Sequence, residues 1–389
     1  MTGTLLTCLA SLTGLALPGA ALAAEATFYL GTFTSQKVPE GTTSEGIYAG
    51  RLDLETGRLK PLVLAAKARE PWFVAISRDG SRVYSTLELP PEAGAGPREG
   101  AVGAYRRQAD GTLQPLNEQP SGGAIACHLS VNGAGSHVLV ANYTGASIAG
   151  FSTGKEGELS GRTAFHQLTG TGHDPKRQRQ SHPHAIYFAP DERFAYVCDL
   201  GTDEIRPYRI DAETGALQPI EAASAKCPPG SGPRHLAFSH GGRFVHVGNE
   251  MGLSVTTFAR DGVTGALKQL ETLPAIPEDA PREKVTIAEV IAHPSGKWLY
   301  VSIRGRDTLT VFSIGDDGRL TWVEETPAGV QIPWGFDIDP TGHWLVIGGQ
   351  KDNRIAVLKI DPATGKLSAT GEEATIGAPV CVVFAPLRE

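Results

Sequence analysis

One short pattern constrains this chain more than anything else in it. An apolar run, a turn with glycine after Asp, Glu or Thr, and a second apolar run return seven times between Asp53 and Leu367. The turns read DLETGRL, QADGTLQPL, GKEGELSG, DAETGALQPI, DGVTGALKQL, DDGRLTWV and DPATGKLSA. Their glycines are Gly57, Gly111, Gly157, Gly215, Gly265, Gly318 and Gly365, spaced 54, 46, 58, 50, 53 and 47 residues apart. Acidic-Gly and Thr-Gly pairs between apolar runs are hairpin turns in which glycine supplies positive φ. A hairpin repeat of about 50 residues points to a ring of small sheets.

A second pattern sits between those turns, as FVAISRDGSRVYSTLE, HLSVNGAGSHVLVAN, AIYFAPDERFAYVCD, HLAFSHGGRFVHVGNE, VIAHPSGKWLYVSIR and FDIDPTGHWLVIGGQ. It too is strand, turn, strand, so each repeat holds about four short strands, the content of one propeller blade. The count closes at the ends. PVCVVFAP near the C-terminus is the first half of this second pattern, and the N-terminal FYLGTFT and GIYAGRL supply strands that lack such a partner. The expectation is an all-β, seven-bladed β-propeller whose ring is closed by N- and C-terminal strands sharing one blade.

Of the 389 residues, 25–389 then form one propeller domain, and 47 glycines with 27 prolines suit a protein of many turns. The first 24 residues read as a secretory signal peptide. An apolar run from Leu5 to Leu17 precedes small residues, with Ala21-Leu22-Ala23 as the cleavage pattern, although no Lys or Arg stands ahead of the run. Export to the periplasm or beyond follows, with no membrane association after cleavage. A net charge of -7 and the absence of long basic stretches exclude a surface built for nucleic acid and leave a small molecule as the expected partner of a monomer. Cys127, Cys198, Cys227 and Cys381 lack C-x-x-C spacing and are expected as buried free thiols, with no metal site and no cofactor. His182 and His184 share a strand face, but no second pair completes a metal set. The loop TGHDPKRQRQ just before them is locally basic through Lys176, Arg177 and Arg179, suited to meet an anion.

Superposing the repeats predicts a site by position. Taking Gly80, Gly135, Glu192, Gly242, Gly296 and Gly342 as register, the residues eight before are Trp72, Cys127, His184, Arg234, Ala288 and Trp334. Those eight after are Glu88, Tyr143, Leu200, Glu250, Arg304 and Gln350. Antiparallel pairing brings both sets to one end of each blade, and the ring brings them to one mouth of a central channel. His184, Arg234, Glu250 and Arg304 are the candidate catalytic set. His128, His235 and Glu289, one residue off register, join Asn142, His182 and Asp199 as candidate substrate-binding residues. As purely structural ion pairs, the same residues would match Arg234 with Glu250 and Arg304 with Glu289.

Several segments resemble the seven-bladed lactonase family, which includes cycloisomerase-type 6-phosphogluconolactonases and carboxymuconate lactonizing enzymes. They are Gly31-Thr32-Phe33-Thr34, Ser44-Glu45-Gly46-Ile47-Tyr48, Cys127-His128-Leu129-Ser130-Val131, Ala141-Asn142-Tyr143, Pro183-His184, Asp199-Leu200-Gly201, Gly232-Pro233-Arg234-His235, Asn249-Glu250 and Ala288-Glu289. The resemblance implies active-site roles for His184, Arg234, Glu250 and Arg304, the set already assembled by register. It implies opening of a sugar lactone, with His184 as the preferred base because two arginines keep Glu250 ionised and weakly basic. A lactonizing cycloisomerase and a non-catalytic binding propeller are the alternatives. Where the family reads Asn-Arg-Gly, this chain has Ile303-Arg304-Gly305.

Overall fold

The structure, a computed structural model, describes residues 25–35, 44–90 and 98–387. The expected signal peptide lies outside them. Seven four-stranded antiparallel units form a ring, the fourth extended by a short extra strand, Ala225–Lys226. No α-helix occurs among the described residues, so nothing there is long and apolar enough to cross a membrane as a helix.

Each blade runs outward in chain order from an inner strand, as in Ala126–Val131, His137–Asn142, Ser147–Thr153 and Leu159–Gln167. The exception is the closing blade. Its inner strand is the C-terminal Pro379–Phe384, paired antiparallel with Glu25–Thr32, Phe28 facing Phe384 and Gly31 facing Cys381. The termini therefore share one sheet, as the half-repeats required.

The turn chemistry explains the regularity. All seven turn glycines have positive φ, from +70° at Gly215 to +93° at Gly111. Four of their carbonyls also accept a hydrogen bond from a buried tyrosine hydroxyl of a neighbouring blade: Tyr29 to Gly111, Tyr84 to Gly157, Tyr196 to Gly265 and Tyr300 to Gly365. At the register turns glycine again takes positive φ, and Glu192 adopts it at +55° in the one copy that lacks glycine.

The apolar core lies between blades. Phe194, Tyr196 and Cys198 pack on Leu236, Val247 and Phe258 of the next blade, and Phe28 and Leu30 pack on Val346 and Ile355 across the closure. Middle strands such as Phe194–Asp199 are buried on both faces, whereas outer strands such as Leu159–Gln167 are largely solvated. A blade cannot bury its faces alone, so the ring is the stable unit.

One irregularity shapes the channel. Six inner strands carry one extra residue relative to their neighbour, with register shifts between Ala126 and His128, Pro183 and Ala185, Pro233 and His235, Ile287 and Val290, Pro333 and Phe336, and Pro379 and Cys381. A bulge breaks the two-residue alternation of a strand and re-aims side chains. Consecutive residues such as Arg234 and His235 therefore both reach the same cavity.

Candidate active site

The cavity occupies one mouth of the channel, about 390 Å³ in volume. Its walls are aromatic, from Phe33, Trp72, Phe73, Tyr143 and Trp334, and its charged groups and imidazoles are Arg177, His184, Arg234, His235, Glu250, Glu289 and Arg304. The four residues expected to be catalytic thus meet in one place, from inner or second strands of three blades.

Glu250 is the hub. Its Oε1 lies 2.8 Å from an Arg177 Nη, and its Oε2 lies 3.3 Å from Arg234 Nε and 3.1 Å from an Arg304 Nη. Burial alone would raise its pKa, but Arg304, His184, Arg234 and Arg177 outweigh burial and hold the carboxyl down at about 2. The guanidiniums are anchored in turn: Arg234 donates to the Ala288 carbonyl at 2.6 Å and Arg304 to the Ile287 carbonyl at 3.1 Å. Trp334 lies under both, 4.5 Å from Arg304 and 5.9 Å from Arg234. Burial lowers the Arg304 pKa to about 10, with Glu250 opposing, so Arg304 remains charged at neutral pH.

His184 Nε2 is 3.9 Å from Glu250 Oε2, and its Nδ1 has no hydrogen-bond partner. Burial, followed by Arg234 and His235, drives its pKa well below the usual imidazole range. It is neutral at physiological pH. His235, deeper on the next inner strand, is neutral for the same reasons, burial first and then Arg234 and Arg304. Its Nδ1 stands 2.7 Å from Glu289 Oε1.

Four of the residues expected to bind substrate do not line this cavity. His128 lies toward the opposite mouth, its ring between Phe73 and Tyr187 at 4.1 and 4.5 Å, its Nδ1 accepting from the Ile186 amide. Asn142 is fully buried and bridges the Ser121 and Ser147 hydroxyls. Asp199 accepts from Ser181 and from the amides of His182 and Gly201, and pairs with Arg206 at 3.0 Å. It closes the loop leading into its blade. His182 stacks on Tyr143 at 4.5 Å and donates from Nδ1 to the Tyr143 carbonyl, bracing a wall from behind. For Asn142 and Asp199 the reason is alternation: with Asn249 they hold equivalent positions seven residues past the register turn, so they point away from the mouth, which the next residue faces at Tyr143 and Glu250.

Two further expectations change. The Arg304–Glu289 pair does not form, because Arg304 at the mouth reaches Glu250 while Glu289 lies deeper and meets His235. Cys198, Cys227 and Cys381 are buried free thiols, but Cys127 is half-buried and lines the cavity, its thiol pushed up to about 12 by burial. Arg177 and Tyr143 complete the site. Both carried a signal, Arg177 in the basic loop and Tyr143 at the register position.

A seven-bladed propeller with a guanidinium cluster in one channel mouth is a fold and site suited to binding and polarising a small oxygen-rich molecule. The chain belongs to the lactonase, 7-bladed beta-propeller family, whose model matches residues 27–384. It is 30% identical over 358 residues to the 6-phosphogluconolactonase of Bacillus subtilis, covering 92% of this chain and 97% of that one. It is 28% identical to the 6-phosphogluconolactonase of Formosa agariphila, over 90% and 96% of the two chains. The solved structure of the periplasmic gluconolactonase of Pseudomonas aeruginosa superposes with a TM-score of 0.84 at 27% identity, covering 94% of this chain and all of that one.

Proposed function

We propose that this protein is an exported lactonase that hydrolyses a sugar lactone, a glucono-lactone in the first instance, in the aromatic-walled cavity. The observation that carries the reading is the convergence of Arg177, Arg234 and Arg304 on the single buried carboxylate of Glu250. Three guanidiniums gathered on Glu250, with Glu289 set deeper, leave an excess of positive charge at the mouth, matched to the oxyanion that forms at the lactone carbonyl and to the carboxylate of the product. Flat aromatic walls complement the apolar faces of a sugar ring.

Glu250 arranges the cations. Held ionised by them, it is a weak base. Proton acceptance then falls to a neutral imidazole facing the cavity, His184 or His235, and the other contacts the substrate. Export is supported by the sequence of residues 1–24 and favours a lactone without phosphate. In a pH-stat screen of sugar lactones with and without a 6-phosphate, the protein opens glucono-1,5-lactone faster than water does. His184→Ala weakens that activity. No acceleration with any lactone overturns the reading.

A further inference from the structure

We infer that His235, oriented by Glu289, is the group that removes the proton from the attacking water. The inference rests on the lactonase reading and deepens it. Three imidazoles stand around the channel, and their surroundings differ. His128 uses Nδ1 to accept from the Ile186 amide and lies away from the cavity. His184 lines the cavity, but the charged groups nearest it are Arg234, Arg304 and Glu250, and its 3.9 Å separation from Glu250 is too long for a hydrogen bond. No acceptor fixes its tautomer; Arg234 and Arg304 oppose an imidazolium at His184 and at His235 alike, so the difference between the two rings lies in the acceptor.

His235 has what His184 lacks. It is 2% exposed, lines the cavity, and has a carboxylate oxygen 2.7 Å from Nδ1, while Nε2 has no hydrogen-bond partner. With Glu289 ionised, Nδ1 carries the proton and donates to Oε1, which leaves the Nε2 lone pair, buried at the cavity wall and without a partner, as the basic site. When Nε2 takes a proton, the carboxylate stabilises the imidazolium. Carboxylate, imidazole and water in line form the usual oriented base. The bulge at Pro233–His235 is what turns this ring into the cavity beside Arg234.

The step balances without any co-reactant except water. Water gives a proton to His235 Nε2 as its oxygen bonds to the lactone carbonyl carbon, and the carbonyl electrons move to an oxyanion among the guanidiniums. Collapse breaks the bond between that carbon and the ring oxygen. The ring oxygen leaves with the proton from Nε2, giving the hydroxy acid.

Glu289 also lines the opposite mouth and accepts from its neighbour's amide, Val290 N–H, at 3.1 Å. Burial raises its carboxyl to about 7, with Arg234 and the Val290 amide opposing. The groups facing the pair are Arg234 on the same inner strand as His235, Arg304 across the blade of Glu289, His184 and Tyr187 from one side, His128 from the next, and from the other side Asp337, itself raised to about 7, and the Cys381 thiol. Protonated Glu289 donates to Nδ1 and places the imidazole proton on Nε2, which blocks the base. Activity therefore has an acid limb near pH 7.

The test compares wild type, Glu289→Gln, His235→Gln and His184→Ala with glucono-1,5-lactone, together with ¹⁵N NMR of the imidazoles. In Glu289→Gln the new side-chain amide oxygen can still accept from Nδ1–H and from Val290 but carries no charge. The expected result is a fall in kcat of at least about 100-fold for Glu289→Gln with little change in KM, and loss of the acid limb. His235→Gln is expected to lose turnover, while His184→Ala chiefly raises KM. In wild type, His235 Nε2 changes from protonated to unprotonated as pH rises through about 7, and Glu289→Gln abolishes that change. A Glu289→Gln protein with wild-type kcat and pH profile overturns the inference, as does His235→Gln with full activity. A wild type that opens no lactone contradicts the lactonase reading instead, and the NMR transition still reads the pair by itself.

Discussion

Replacing Glu250 with Gln tests the electrostatic logic of the cavity without changing its shape. The three guanidiniums then face one another with no anion between them. A carboxyl held at about 2 rather than 4.5 stabilises the folded state by about 3 kcal/mol at neutral pH. Removing one partner of a buried ion pair costs about 3–5 kcal/mol by independent measure, so the two arguments agree. Because the folded pKa is depressed, this contribution is complete above pH 4.5 and is lost as pH falls toward 2. At pH 3 about 1 kcal/mol of it is left. An unfolding entropy of about 2.1 cal/mol/K per residue makes 1 kcal/mol worth a little over 1 °C in a chain of this length. Thermal melts at pH 7.5 should place Glu250→Gln about 4 °C below wild type, and urea titrations at pH 7.5 and pH 3 should show the gap narrowing in acid. A variant as stable as wild type at pH 7.5, or a gap that ignores pH, refutes the reasoning.

Two other changes separate roles that the sequence placed together. Arg177→Ala, at the half-exposed edge of the cluster, is expected to raise KM about tenfold with a smaller effect on kcat, read from initial rates in the pH-stat. Asp199→Ala removes a buried acceptor of several hydrogen bonds away from the cavity. It should lower stability by about 1–3 kcal/mol in urea while the folded fraction keeps its kcat.

The fold was legible because its determinants are local. Each turn needs a glycine at positive φ, and seven of them at near-constant spacing leave a ring as the economical solution, closed by the two half-repeats. The mouth was legible for a related reason, since residues at a fixed offset from a turn take equivalent places in every blade. That logic brought His184, Arg234, Glu250 and Arg304 together. It failed where one residue of offset matters. Asn142 and Asp199 are adjacent in sequence to mouth positions yet point into the sheets, and their hydrogen bonds hold turns. His235 and Glu289 are also one residue off and sit at bulges that bring them to the cavity, whereas His128, at the same kind of bulge, faces the opposite mouth. No residue type in those strands announces a bulge. Arg177 approaches from a loop outside the repeat, where no register applies, so only its local charge hinted at a role.

Whether the guanidinium cluster opens a lactone is read from the rate of glucono-1,5-lactone opening above the spontaneous rate, followed by pH-stat for wild type and for Arg304→Ala. Arg304 touches Glu250 and Trp334 and supplies charge where the oxyanion forms. Wild type is expected to accelerate the opening clearly, and the variant to lose about 100-fold in kcat. A wild type no faster than buffer, or an Arg304→Ala protein as fast as wild type, contradicts it.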